Sequence, residues 1–169
     1  MEFILELVSI IVASIAAVIS ISTFVIQHRS VRKTEQMKIA MEINSKLDDA
    51  ENKIFEIKDQ IKQIEYENED LSPYQSANSD KNIAKISILK RNLKDASLHY
   101  MNLWEFLSFL VNKKEIHNSN IIEFFKPNLI SGTDDVFEDY PEIKNNKNVF
   151  EEIKQLRKKW DDESNSLNK

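Results

Sequence analysis

The chain contains no cysteine, and among its 169 residues it has only one glycine and three prolines. Without cysteine it can form no disulfide framework, no thiolate metal site and no cysteine nucleophile. With so few glycines and prolines, tight hairpin turns and glycine-rich phosphate loops have almost no residues from which they could be built. These absences predict an all-α protein.

An excess of basic charge is also lacking. The net charge is −5, whereas a general nucleic-acid-binding domain normally presents a basic surface. The three histidines, His28, His99 and His117, do not occur at the spacings that bring several ligands onto one metal ion. No phosphate-binding loop, nucleophile elbow or Ser/His/Asp set is recognisable. We therefore expect no nucleic-acid partner, no metal, no cofactor and no enzymatic activity.

The first long feature that is present is an uncharged apolar run from Leu7 to Ile26, LVSIIVASIAAVISISTFVI. About 20 such residues are the length of a helix that crosses the hydrocarbon core of a bilayer. A cleaved signal peptide is the alternative, but the segment before the run is acidic and the run is too long. Basic residues follow instead, at Arg29, Arg32 and Lys33. This flank predicts an outward N-terminus and a cytoplasmic C-terminal domain.

Two heptad patterns follow the basic flank, each with apolar residues at alternating intervals of three and four, as in a coiled-coil seam. The first seam contains Ala40, Ile43, Leu47, Ala50, Ile54, Ile57, Ile61, Ile64 and Leu71, and the second contains Ile86, Leu89, Leu93, Ala96, Tyr100, Leu103, Leu107 and Leu110. A polar loop with Pro73 separates them. The two helices should therefore form an antiparallel hairpin, with Ala50 opposite Tyr100 and Ala96 opposite Ile54.

The returning helix is apolar on nearly all sides between Leu98 and Val111, LHYMNLWEFLSFLV. A second membrane span is the alternative, but the run is short and carries the ionisable Glu105 at its centre. We expect instead the central helix of a bundle, packed around Trp104 and covered by other pieces of the chain.

Those covering pieces should come from the last third of the chain. Asn118 or Ser119 can cap a short helix that Pro127 ends, and residues 128–145 are expected to be largely loop. A last helix then carries apolar residues on one face, Val149, Phe150, Ile153, Leu156 and Trp160.

The returning helix carries one polar stripe at intervals of three residues, formed by His99, Asn102, Glu105 and Ser108. It is either a polar network that fixes how the short helices dock or a ligand or partner site. Its partner would be Lys126, Arg157 or backbone groups of the 128–145 segment. We favour the structural interpretation, because structural networks also hold buried charges.

Residues 101–111, MNLWEFLSFLV, and 149–160, VFEEIKQLRKKW, resemble segments of a domain-of-unknown-function family of small bacterial and archaeal proteins. Such proteins have one N-terminal span, a basic flank, a helical cytosolic part with an Asn-x-x-Glu core helix, and a Trp-containing last helix. Asn102, Glu105 and Trp160 are the matching positions. The resemblance implies the same topology and no particular activity, because that family is uncharacterised.

Together these patterns predict six segments: a transmembrane anchor at 1–27, a long heptad helix at 28–71, a loop at 72–79, a returning helix at 80–114, short helices completing the bundle at 115–163, and a tail at 164–169. The anchor helix should continue into the hairpin, with the short helices packed on its returning end. We interpret the chain as a single-pass membrane-anchored interaction or regulatory module, whose partners are the bilayer and an unidentified protein. The alternative is a self-assembling structural or signal-relay coiled coil.

Overall fold

The computed structural model describes the backbone of residues 2–69 and 76–167, and the side chains of residues 20, 22–67 and 81–165. The helices are α1 (Glu2–Glu69), α2 (Ser76–Asn112), α3 (Ser119–Asp139), α4 (Pro141–Asn145) and α5 (Glu151–Leu167). No strand occurs within the described ranges, so the all-α class is confirmed.

The chain divides into two compact units, Met1–Ile39 and Ala40–Lys169. In the first unit, the predicted basic flank is exposed at Arg29, Arg32 and Lys33. The predicted span from Leu7 to Ile26 lies largely outside the residues whose side chains are described. Among the residues that are described, no helix combines the length and the apolar character that crossing a membrane requires.

The second unit packs the last part of α1 against α2. All described positions of the two predicted seams are buried or half-buried, while Leu71 lies outside the described residues. The Glu65 carboxylate of α1 lies 3.7 Å from the Lys90 ammonium of α2. Earlier on α1, the Glu51 carboxylate acts on the hydroxyl of Tyr100, which is further along α2. The two helices therefore run antiparallel.

The two residue pairs predicted for the hairpin share core clusters. Ala50 and Tyr100 belong to one cluster, and Ile54 is half-buried against both that cluster and the one that contains Ala96. The residue-by-residue register of the hairpin stays a prediction.

Helix α3 corrects one prediction. Pro127 does not end it, and residues 128–145 are mostly helical rather than loop. An internal proline costs roughly 3 kcal/mol, but fully burying one large apolar side chain stabilises by about 1.5–3 kcal/mol. Buried apolar residues lie on both sides of the proline, at Ile121 and Phe125 before it and at Leu129, Val136 and Phe137 after it. Tertiary burial therefore outweighs the local signal to stop.

The other helix boundaries differ from the prediction by a few residues. Residues 76–79 belong to α2 rather than to a loop, α2 ends at Asn112, and α5 continues to Leu167. The predicted cap of α3 is confirmed, since the Asn118 side-chain oxygen accepts a hydrogen bond from the Asn120 N–H at 3.1 Å.

The core of the bundle centres on Trp104, as predicted. Its side chain is only 2% exposed. Its ring meets those of Tyr100 and Phe125 edge to face, with centroids 6.0 Å apart in both cases. Helix α5 covers this core with Ile153, Leu156 and Trp160, all of them buried.

Candidate functional site

Glu105 of α2 points at the start of α5. Its two carboxylate oxygens accept hydrogen bonds from the backbone N–H groups of Glu152, at 3.1 Å, and Ile153, at 3.0 Å. N–H groups in the first turn of a helix have no carbonyl partner within that helix, and a carboxylate also interacts favourably with the positive end of the helix dipole. Glu105 therefore caps α5 from a neighbouring helix.

Asn112 supports the same contact two turns further along α2. Its side-chain N–H₂ donates to the Glu152 backbone carbonyl at 3.1 Å and to the Glu152 carboxylate at 2.7 Å. Residues 105 and 112 lie on nearly the same face of a helix. Two side chains of α2 thus hold the first turn of α5.

The other members of the predicted polar stripe do not join this contact. His99 and Asn102 are exposed, whereas Ser108 is fully buried. The Ser108 hydroxyl has no hydrogen-bond partner among the described residues. The stripe is therefore divided between the surface, the α5 contact and the core, and it does not form one network.

The partners predicted for the polar stripe were wrong for Glu105, because the backbone groups that it binds belong to residues 152 and 153 and not to the 128–145 segment. The two predicted cations bind elsewhere. The Lys126 ammonium lies 5.4 Å from the centre of the Trp160 ring. The Arg157 guanidinium donates to the Thr133 hydroxyl and to the Asp134 carboxylate, each at 2.7 Å. These bonds fasten the middle of α5 to α3.

Lys154 binds backbone carbonyls of α4 and of the segment that connects α4 to α5. Its ammonium donates to the backbone carbonyls of Ile143, at 3.3 Å, and Val149, at 2.7 Å. Burial lowers the pKa of Lys154, and the nearby carboxylates of Glu105 and Glu151 act in the opposite direction. The Glu105 charge thus stabilises this ammonium as well as the helix start. The whole constellation is suited to holding α5 in place.

A second polar feature is a cleft of about 180 Å³ between α1 and α3. Its α1 wall is formed by Asn44, Leu47, Asp48 and Glu51, and its α3 wall by Asn128, Ser131, Gly132 and Asp135. The spacing is i, i+3, i+4, i+7 on both helices, so each wall is one helical face. Tyr100 and Trp104 of α2 also line the cleft, and no lining residue is basic.

Gly132, the only glycine of the chain, makes room for the Tyr100 side chain. A Cβ atom at position 132 would collide with the Tyr100 hydroxyl oxygen. Burial raises the pKa of that hydroxyl, and the carboxylates of Glu51, Asp135 and Asp48 add to the rise. The negative charges of both walls therefore act on one buried hydroxyl.

Sequence reasoning missed this cleft. Polar residues at i, i+3, i+4, i+7 and a lone glycine were the available signals. They could not be combined, because one wall lies in the segment that was expected to be a loop. No group of three acidic or histidine side chains that could hold a metal ion occurs in the described part of the chain.

Comparison with known protein families gives a match over nearly the whole chain. The family described as "Domain of unknown function (DUF4760)" matches residues 7–160. The chain belongs to this family. The DUF4760 match covers the α5 contact and every residue of the cleft, and it confirms the predicted resemblance to an uncharacterised family. No curated protein and no solved structure matches the chain, so any function of this DUF4760 domain has to be argued from its own residues.

Proposed function

We propose that this DUF4760 protein is a single-pass membrane-anchored protein whose helical C-terminal unit is an interaction module at the cytoplasmic membrane face. The anchor is supported by the uncharged run from Leu7 to Ile26. The orientation is supported by the basic flank at Arg29, Arg32 and Lys33, which should remain on the cytoplasmic side.

The observation that carries the interaction role is an exposed aromatic stripe on α2. Phe106 is 51% exposed and Phe109 is 40% exposed. They lie one turn apart, on the side of α2 turned away from Trp104. Asn102 and Lys113 extend the stripe at the same helical spacing, and all four residues are exposed. Aromatic residues are enriched at the cores of protein interfaces.

The occupant that fits this stripe is an amphipathic helix of a partner protein with an acidic residue at one end. The spacing from Asn102 to Lys113, four, three and four residues, is that of a helix that packs against another helix. The Lys113 ammonium lies 5.7 Å from the centre of the Phe109 ring, so positive charge borders the apolar surface. An acidic partner residue complements that charge.

Photocrosslinking of the full-length protein in cells tests this role. A photoreactive phenylalanine analogue at Phe106 should yield one discrete adduct with another protein, whereas the same analogue at Ile88 should not. Ile88 is the matched control because it is 54% exposed and lies on the same side of α2. Lys113→Glu should reduce the Phe106 adduct. Equal adducts from both positions, or none from Phe106, would contradict the proposal.

The second candidate function is self-assembly through α1. Met41, Phe55 and Tyr66 are each more than 60% exposed, and their spacings of 14 and 11 residues place them on one side of the helix. This row favours packing of a second copy along α1. A photoadduct of twice the chain mass from Phe55, without a heterologous adduct from Phe106, would select this function.

A further inference from the structure

We propose that a groove between α1 and α2 binds an α-amino acid with an apolar side chain. The groove has a volume of about 520 Å³, which lies within the range of small-molecule sites. The proposal goes beyond the interaction role and does not depend on it. It rests on the juxtaposition of an apolar floor with two walls of opposite charge in one groove.

The floor of the groove is apolar and lies along the seam of the hairpin. It is formed by Ala50 and Ile57 of α1 and by Leu89 and Ala96 of α2. These side chains are between 6% and 9% exposed, so part of their surface is open to the groove. Alanine at two of the four positions leaves room for an apolar group of a ligand. Covering this floor removes apolar surface from water, which favours binding.

Polar side chains form the rim of the groove on both helices. Four of them follow a floor residue by three positions and are exposed, namely Lys53, Gln60, Asn92 and His99. Residues three apart are neighbours on a helix surface, so this rim stands directly beside the floor. Asp95, which is also exposed, completes the rim on α2. A ligand therefore meets apolar surface at the floor and hydrogen-bonding groups at the rim.

The two walls carry opposite charges. Lys53 stands on the α1 wall and Asp95 on the α2 wall, and neither forms a salt bridge with a described residue. Elsewhere the same two helices do pair their charges, as the Lys90 ammonium and the Glu65 carboxylate do at 3.7 Å. A ligand that carries both a carboxylate and an ammonium group complements the two walls at once.

The separation of rim and floor defines the shape of the ligand. Its two charges have to lie together at the rim, and its apolar part has to reach the floor, which is the arrangement of an α-amino acid. The Lys53 ammonium then donates to the ligand carboxylate, and the ligand ammonium donates to the Asp95 carboxylate. The side-chain amides of Gln60 and Asn92 can serve either group, since each has both donors and an acceptor.

Nuclear magnetic resonance of alanine methyl groups tests the proposal on the full-length protein in detergent micelles, with L-leucine as the probe. The methyl signals of Ala50 and Ala96 should shift saturably, whereas that of Ala40, which is buried on α1 outside the groove, should not. We expect a dissociation constant on the order of 1 mM, because exposed ion pairs contribute little. Absence of saturable shifts up to the solubility limit of leucine, or equal shifts at all three methyl groups, would overturn the site.

Four comparison compounds define the ligand class. The compound 4-methylpentanoate lacks the ammonium group and 3-methylbutylamine lacks the carboxylate, so each should bind about fivefold more weakly than leucine. Glycine lacks the side chain and should bind at least about tenfold more weakly. Equal binding of any of these three would overturn the role of the wall or floor that it leaves uncovered. Tighter binding of 6-aminohexanoate, whose charges lie at opposite ends, would overturn the assignment to an α-amino acid.

Matched variants locate the binding. Lys53→Gln and Asp95→Asn should each weaken leucine binding about fivefold, since each removes the charge of one wall. Lys62→Gln on α1 and Asp161→Asn on α5 make the same changes at exposed positions outside the groove, and they should leave binding unchanged. Equal weakening by groove and control variants would show a general charge effect and refute the site.

Discussion

Replacing Glu105 by alanine removes the cap that α2 places on α5. Two N–H groups, those of Glu152 and Ile153, lose their acceptors, and Lys154 loses a nearby negative charge. Loss of a side-chain cap costs about 0.5–2 kcal/mol, and hydrogen bonds to charged groups are worth more than neutral ones. Because the contact is half-buried, we expect Glu105→Ala to lower the free energy of unfolding by about 2 kcal/mol.

The variant Glu105→Gln removes the negative charge of the side chain but keeps its size. Sequence reasoning predicts that Glu105→Gln loses little, because size and some hydrogen bonds are kept. In the structure both carboxylate oxygens accept N–H groups, so an amide keeps one acceptor and turns an N–H₂ toward the other donor. We therefore expect Glu105→Gln to cost about 1 kcal/mol, between wild type and Glu105→Ala.

Urea unfolding of residues 28–169, followed by circular dichroism, measures both changes. Glu56→Ala on α1 serves as the control, because it removes an exposed carboxylate from a helix, and it should stay within about 0.5 kcal/mol of wild type. Hydrogen exchange should accelerate at the start of α5 in Glu105→Ala and not in Glu56→Ala. A Glu105→Ala protein as stable as the Glu56→Ala protein would refute the capping role.

Four further predictions follow from the fold and the topology. Ala50→Trp should overpack the hairpin and lower the free energy of unfolding by about 1–3 kcal/mol, and adding Tyr100→Ala should relieve part of that loss. If the losses of the two single variants simply add up in the double variant, the predicted register is contradicted. Gly132→Ala should lower the free energy of unfolding by about 1–3 kcal/mol because its Cβ collides with the Tyr100 hydroxyl. Tyr100→Phe removes that hydroxyl and should restore most of the loss in urea melts. An equal loss from Gly132→Ala in wild type and in Tyr100→Phe would argue against the collision. The raised pKa of Tyr100 means that the folded state holds its proton above pH 10.0, where the unfolded chain releases it, so wild type should lose more stability than Tyr100→Phe as the pH rises above that value. A cysteine replacing Ser166 should resist a membrane-impermeant thiol reagent in intact cells, whereas a cysteine replacing Glu2 should be labelled; prompt labelling at 166 would overturn the orientation.

The helical hairpin and its core could be predicted from the sequence because the signal is local. A helix that buries one face repeats its apolar residues every three or four positions, and both seams show that repeat over many turns. The position of Trp104 in the core followed from the same pattern, since the residues around it are apolar on nearly all sides. The scarcity of glycine and proline by itself argued against folds that depend on tight hairpin turns.

Helix α3 marks where local signals failed. Pro127 and Gly132 normally interrupt helices, and by propensity alone the segment should be a loop. Only the bundle, which buries Phe125, Leu129 and Val136 along one face, supplies enough free energy to keep the helix intact. The sequence contains these apolar residues, but whether their burial stabilises α3 by more than the proline destabilises it depends on the surface that they cover.

The partners of Glu105 and the cleft were decided by tertiary structure alone. Glu105 meets N–H groups that lie 47 and 48 residues further along the chain, and the walls of the cleft come from α1 and α3, with Tyr100 and Trp104 of α2 between them. Periodicity shows which face of a helix is buried, but it does not show which other helix that face will meet. The sequence by itself therefore determined the helices and their apolar faces. The pairing of polar side chains was decided only by how those faces pack, because burial of apolar area is what brings distant polar groups together.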